Sequence, residues 1–507
     1  MDRENPEGER SERSAVAQKK VSRLYWIAVL SVTLGIRLYL FENYYTINND
    51  GILYIEAARH FWAGAWSEGL ASFYPPLFPI MIAAAYPLIG DWELAGQFWP
   101  FVLGVLGLFP LFGLLRALYG PRVAQVALLF YGVSPYLARL SLHVRTEIPY
   151  IFFLLLALFL LQRGLDRGSP LSFFSMGVSS GLAYLIRSEG FGLVVVLILF
   201  LLYRGWLYAR LGKAVVQLAP LLVGFILLAA PYVLYLKQDT GSWLISRKAG
   251  FILYLGLADH DLGPDQVTMK DSDRVSVVSL ISSRPLTYAK KVFVDAFRSL
   301  GVYFEAVHYS YLPFLFIGGF FFFRGRFWEK DEFLLASIIL FYMGTFSLLY
   351  VNRRYAVPLV PLSLGWVAAG YLAMERYCRT RWPGRGGVLT GFILALFLVG
   401  TLPKTLQAIG REKLYLREAG AYLKGKPGNP TIVTTNARVA FYAAGQRTLV
   451  TEPERITQLL ATQEADYLAL EKKDFDALQG FLGHHGWKLD REFSESKAER
   501  LFVLSRR

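Results

Sequence analysis

Long apolar runs dominate the chain, and its polar residues gather between those runs rather than alternating within them. Runs at 24–41, 98–118, 123–138, 148–162, 171–186, 190–203, 214–236, 311–323, 333–350, 357–374 and 387–402 each read as a helix bound for a bilayer. Several fall short of the roughly 20 residues a span needs, so their ends must extend into the flanks or the helices must pack inside a bundle. The first run is long for a signal-peptide core, and no small-residue cleavage site follows it in Glu42-Asn43-Tyr44-Tyr45, so it reads as an uncleaved first span.

The segment 76–90 is apolar too, but short and bracketed by Tyr74-Pro75-Pro76 and Pro87. Counting it as a span would invert everything downstream, and charge arbitrates. With 76–90 lying in the interface, one set of loops collects Arg116 and Arg122, Arg163 and Arg167, Arg204, Arg210 and Lys213, Arg324, Arg326 and Lys330, and Arg376, Arg379, Arg381 and Arg385. The basic residues of the polar segment 1–23 join them. The opposite short loops keep only Arg139 and Arg145, Arg187, and the pair Arg353-Arg354. The positive-inside rule therefore puts the N-terminal segment 1–23 in the cytoplasm and 76–90 flat on the outer surface.

Three segments then face outward: the loop 42–97 with an amphipathic stretch at 52–66, the loop 237–310 with a surface helix near 286–304, and the tail 403–507. The tail alternates helical stretches (406–424, 453–460, 473–482) with short β-rich runs at 431–434, 467–470 and 501–504. The expected fold is an α-helical polytopic membrane protein of about eleven spans over 24–402, with outward interfacial helices and a small C-terminal extracytoplasmic α/β domain.

Composition agrees: 54% of residues are hydrophobic, 16% aromatic and only 18% charged, a balance that leaves no polar shell for a soluble protein of 507 residues. The net charge of +14 reads as cytoplasm-facing lysine and arginine rather than a nucleic-acid surface. The single cysteine, Cys378, excludes a disulfide framework, a cysteine zinc site and an iron–sulfur cluster.

With sidedness set, the outward ionisable residues become candidates for chemistry. Asp50 opens the amphipathic stretch, where it would serve at least as an N-cap. Glu147, in Arg145-Thr146-Glu147, would cap the fourth span or act chemically. Arg187 and Glu189 flank a turn and would at least pair with each other. Arg353 and Arg354, ahead of Tyr355, would anchor to the interface or meet a phosphate. All four groups fall on one side of the membrane beside a long loop, which suits a reaction that handles a phosphate and a nucleophilic hydroxyl. Asp259-His260-Asp261 reads as a polar loop or as a metal contact by His260. Arg37, inside the first span, would snorkel outward or line a phosphate pocket.

An acidic residue after the first span, the turn Tyr74-Pro75-Pro76-Leu77, an outward Arg145-x-Glu147 and a late Arg354-Tyr355-x-x-Pro358 together resemble the C-type (GT-C) membrane glycosyltransferases. Over about 24–402 the chain is most similar to the bacterial branch of the protein O-mannosyltransferases and lipid A aminoarabinose transferases. That resemblance implies inverting transfer of a hexose or pentose from a polyprenyl-phosphate carrier to an extracytoplasmic acceptor (lipid A, a glycan or a protein), at the bacterial inner membrane. It makes Asp50 and Glu147 the catalytic carboxylates, and Tyr74, Arg145, Arg187, Glu189, Arg353, Arg354 and Tyr355 substrate-binding residues. Membrane lipid is an expected partner and nucleic acid is not. The one cofactor left open is a divalent metal. In the aminoarabinose branch a Glu-Lys pair precedes the prolines and its glutamate helps hold a metal, whereas here Phe73-Tyr74 stands there. Rival readings are an O-antigen-ligase-like transferase, which does not need Asp50, and a transporter or lipid flippase, which would carry mid-span charges and inverted repeats.

Overall fold

The computed structural model describes residues 23–260, 281–282, 285–451, 455–462, 465–496 and 499–506. The N-terminal segment up to residue 22, Asp261 and Pro453 lie outside the described residues. The chain divides into two compact units, one holding the described residues up to Leu38 together with Ala57–Leu406, the other holding Tyr39–Glu56 and Gln407–Arg507.

The first unit is helical, and every one of the expected apolar runs is helix in it. Among the described residues, seven helices are both long and apolar enough to cross a membrane: Arg23–Glu42, Trp92–Tyr119, Glu147–Arg167, Gly190–Leu207, Leu211–Thr240, Arg353–Arg381 and Gly386–Thr405. The pair Pro285–Val307 and Tyr309–Phe323, bent by 86°, makes an eighth if it is one broken span. Pro170–Ile186 and Phe333–Leu348 are apolar but shorter. The expected run 123–138 divides into Pro121–Val133 and Pro135–Leu140, because Pro135 pushes Ser134 into the extended region (φ −61°, ψ 125°). The chain is a multi-pass membrane protein.

Arg37 does not snorkel. It is fully buried, its Nε donating to Ser141 Oγ at 3.2 Å and its Nη1 to the Thr33 carbonyl at 3.1 Å, with the guanidinium 5.9 Å from the centre of the Tyr131 ring. Two neutral oxygens and an aromatic face replace part of what water would have supplied, and Nη2 has no hydrogen-bond partner among the described residues.

The second unit carries a five-stranded sheet of order β2-β1-β3-β5-β4. Its strands are β1 (Thr431–Thr434), β2 (Arg447–Val450), β3 (Tyr467–Glu471), β4 (Trp487–Ser494) and β5 (Arg500–Arg506). β1 runs parallel to β2 and β3, and β5 runs antiparallel to β3 and β4. Helix Leu414–Lys424 packs into the core on one face, around Ile432, Ala469 and Val503, and helix Lys472–His484 into the core on the other, around Val433, Leu468 and Leu504. Residues 43–48 belong to this unit by hydrogen bonds. Tyr45 N–H donates to Ile409 O at 2.9 Å, Ile47 N–H to the Tyr442 hydroxyl at 2.8 Å, and Arg438 Nε to Ile47 O at 2.8 Å.

Candidate active site

The charged residues of the first unit converge because three helix ends meet. Glu147 opens the helix Glu147–Arg167. Arg187 ends Pro170–Ile186 in extended conformation (φ −145°, ψ 130°), and Glu189 leads into Gly190–Leu207. The turn between the last two helices closes tightly at Gly190, where a Cβ would lie 2.3 Å from Tyr184 N, so no larger residue fits. Arg354 stands on the short turn Arg353–Ala356, whose Asn352 side chain accepts the Arg354 backbone N–H at 3.0 Å.

Glu147 is fully buried, and its Oε1 draws three guanidinium nitrogens: Arg354 Nη2 at 2.9 Å, Arg354 Nε at 3.0 Å and Arg187 Nη1 at 3.3 Å. Its Oε2 has no hydrogen-bond partner among the described residues. Arg187 also donates to Thr146 Oγ1 at 3.3 Å and to Glu189 Oε1 at 2.9 Å. Glu189 Oε1 lies 3.5 Å from Lys248 Nζ, and Lys248 sits 4.8 Å from the centre of the Tyr355 ring, with Arg187 at 5.4 Å from the same ring. Tyr342 OH donates to the Glu189 carbonyl at 2.5 Å and meets Tyr150 OH at 2.9 Å.

Burial alone would push the Glu189 carboxyl up, but Arg187 and Lys248 outweigh it and hold it down at about 2. Burial would likewise lower Arg187, and the carboxylates of Glu189 and Glu147 overcome it, so the guanidinium is a permanent cation. Arg187, Arg354 and Lys248 against Glu147 and Glu189 leave the cluster with an excess of one positive charge. Beside it opens a cavity of about 220 Å³, lined by Glu189, Lys248 and Tyr355 and by the apolar side chains of Phe191, Ile252, Phe341, Phe346 and Leu349.

The cluster thus gathers Glu147, Arg187, Glu189, Arg354 and Tyr355 from the sequence-derived candidates. Arg353 points elsewhere, pairing with Glu305 and lying 5.1 Å from the Tyr136 ring centre, so the two adjacent arginines do not act as one clamp. Arg145 is half-buried before Glu147. Burial, then the Arg145 charge, hold the His143 imidazole down at about 3, so this histidine is neutral at physiological pH. Tyr74 is buried in the Ser72–Pro76 bend, edge-on to Phe73, which is edge-on in turn to Phe251 on the helix Lys248–Ala258.

Asp50 lies in the second unit, in the first turn of the helix Asn49–Trp62, and the cap is not its own. Asn48 Oδ1 accepts the Gly51 N–H at 2.9 Å. His260 pairs with Asp295, Nε2 to Oδ1 at 3.1 Å. No group of three or more His, Cys, Asp or Glu side chains that could hold a metal is found among the described residues, and Phe73-Tyr74 offers no carboxylate. Sequence reasoning missed Lys248, Tyr150 and Tyr342. Lys248 follows Ser246-Arg247 in a long loop where no spacing marks it, and Tyr184 OH fixes the approach to it by donating to Ile245 O at 2.7 Å.

Residues 74–235 match the family model described as dolichyl-phosphate-mannose-protein mannosyltransferase. No curated protein matches the chain in sequence. In fold, the chain is similar to ArnT from Cupriavidus metallidurans bound to undecaprenyl phosphate, with a TM-score of 0.58 and 14% identity over 95% of this chain and 98% of that one. It is similar to the same protein in the apo state, at 0.56 and 16% over 94% and 97%. It is also similar to the archaeal oligosaccharyltransferase AglB from Archaeoglobus fulgidus in complex with an inhibitory peptide and a dolichol-phosphate, at 0.53 and 13% over 95% and 74%. The fold is that of the C-type membrane glycosyltransferases. The likeness to a mannosyltransferase family in sequence is confined to residues 74–235, while the likeness to ArnT in fold extends over nearly the whole chain.

Proposed function

We propose that this protein is an inverting glycosyltransferase that moves a hexose or pentose from a polyprenyl-phosphate carrier to a hydroxyl of an extracytoplasmic acceptor, at the outer face of a bacterial inner membrane. The observation that carries this reading is the net positive cluster of Arg187, Arg354 and Lys248 beside an apolar cavity, a combination suited to a phosphate attached to an isoprenoid chain. Soluble nucleotide sugars would not call for the apolar wall. The family and fold matches favour this reading over a transporter, a flippase or an O-antigen-ligase-like enzyme.

In the proposed step the acceptor oxygen attacks the anomeric carbon as its proton passes to a carboxylate. The bond from that carbon to the phosphate oxygen breaks, and its electron pair leaves on the polyprenyl phosphate. Arg354 and Lys248 would stabilise the charge that grows on the departing phosphate. Asp50 is assigned as the base. It stands in the first turn of a helix whose N-terminus Asn48 caps. Glu147 is expected as a catalytic carboxylate, but fully buried between two guanidiniums it is better suited to holding Arg187 and Arg354 in place. No step passes through a metal.

The test is direct. Purified protein in detergent should bind undecaprenyl phosphate and lose that binding about tenfold or more with Arg354→Ala, the loss of a charge-assisted contact worth about 1.5–3 kcal/mol. Release of polyprenyl phosphate from a lipid-linked sugar should depend on an added acceptor. Wild-type protein that neither binds undecaprenyl phosphate nor releases it from a panel of hexose and pentose donors would sink the reading.

A further inference from the structure

Helix Pro285–Val307 carries its polarity inside out. Lys291, Asp295 and Ser299 form its buried stripe, while Leu286, Phe293 and Phe297 are 86%, 67% and 66% exposed. A lysine and an aspartate survive burial only with full sets of partners, and both have them. Lys291 Nζ lies 3.1 Å from Asp295 Oδ2 and donates at 2.9 Å to the carbonyls of both Ser347 and Leu349. Tyr288 OH donates at 2.8 Å to the carbonyl between them, that of Leu348. Three successive carbonyls at the end of helix Phe333–Leu348, which would otherwise be left without donors, are thus taken up by one neighbouring helix. The next residues of that chain are Tyr350 to Arg353, then Arg354.

Asp295 has a second tie. Its Oδ1 receives His260 Nε2 at 3.1 Å, and His260 lies just past the end of the helix Lys248–Ala258. That helix packs its backbone against the same segment, since a Cβ on Gly256 would fall 1.8 Å from the Leu349 carbonyl. We infer that Asp295 is a positioning residue for the donor site. Through Lys291 it fixes the segment that leads into the Arg354 turn, and through His260 it fixes the far end of the helix that begins with Lys248. Asp295 touches neither cation directly. It sets the spacing between them, on which simultaneous contact with one phosphate depends. This rests on the donor role proposed for Lys248 and Arg354.

Four variants of the full chain test it: His260→Ala, His260→Gln, Asp295→Asn and Lys248→Ala. Two quantities are read, hydrogen-exchange protection of residues 248–258 and 345–356, and affinity for undecaprenyl phosphate. His260→Ala should expose 248–258 and weaken binding about three- to tenfold. His260→Gln, whose side-chain amide N–H stands where Nε2 stood, should restore both. Asp295→Asn should expose both segments and weaken binding further. His260 is partly exposed, so its two variants carry the test even where Asp295→Asn fails to fold. Unchanged protection in His260→Ala, or lost protection with wild-type affinity while Lys248→Ala binds weakly, overturns the positioning role. Wild-type affinity in Lys248→Ala marks a different failure, that of the donor site, and the role of Asp295 falls with it.

Discussion

Two neighbouring arginines meet different fates, which makes position 354 the sharpest place to test the site. Arg354 presents two nitrogens to the buried carboxylate of Glu147, while Arg353 pairs with Glu305 where both side chains are about half exposed. Exposed pairs contribute about 0–1 kcal/mol, so Arg353→Ala should leave the donor KM within about threefold of wild type. Arg354→Ala should raise it tenfold or more, and Arg354→Lys should recover little, because a lysine lacks the planar fork that reaches Glu147 and a phosphate together. Equal KM changes from the two alanine variants would show that the cluster plays no part in holding the donor. Asp50 and Asn48 separate in the same way. Asn48→Ala should cost about 1 kcal/mol of stability through the lost cap, read as a lower Tm with transfer retained. Asp50→Asn should keep the Tm and lose transfer by about 10²–10⁴, the usual contribution of a general base. Near wild-type transfer by Asp50→Asn would remove it from the chemistry.

At the scale of elements, the turn from Arg187 to Glu189 has one weak point. Gly190 packs directly on the backbone of Ala183 and Tyr184, so Gly190→Ala must push two helices apart where they deliver both residues. Overpacking of this kind typically costs about 1–3 kcal/mol, and here the displacement falls on Arg187. The variant should lower the Tm and weaken undecaprenyl phosphate binding together; a lower Tm with unchanged binding would show that the turn tolerates the shift. Much of this geometry was legible beforehand. Apolar runs marked all seven helices that are long and apolar enough to cross a membrane among the described residues, because a bilayer forces an unbroken apolar stretch on any helix that crosses it. Sidedness of charge then gathered Glu147, Arg187, Glu189 and Arg354 on one side. The partners that complete the cluster were not legible. Lys248 and Asp295 lie in or beside a long loop, and their roles depend on contacts 58 to 59 residues away in sequence, such as Lys291 with Leu349 and Lys248 with Glu189. The strands β2 and β4 were missed for a related reason: they sit at the two edges of the sheet, where half-exposed sequences such as Arg447–Val450 carry little alternation.

For the whole molecule, the proposed function needs the charged helix ends on the extracytoplasmic side. The argument for this orientation is electrostatic. Putting the donor cluster outside keeps Arg116, Arg122, Arg163, Arg167, Arg204, Arg324, Arg326 and Arg376–Arg385 in the cytoplasm, while the reverse orientation would require all of them to be translocated in short loops. The native Cys378 is only 4% exposed, so the protein itself provides a quiet background for thiol labelling. A cysteine placed at Trp243, which is 69% exposed in the loop before Lys248, or at the exposed Leu489 of β4, should react with a membrane-impermeant maleimide added to intact bacterial spheroplasts. Cysteines at Arg122 and Arg324, both exposed, should react only after lysis. Glu147 is unsuited to this experiment, since a buried thiol there would stay silent on either side. Labelling at 122 and 324 in intact spheroplasts, with silence at 243 and 489, would place the cluster in the cytoplasm, where nucleotide sugars are available and a lipid-linked donor is no longer required.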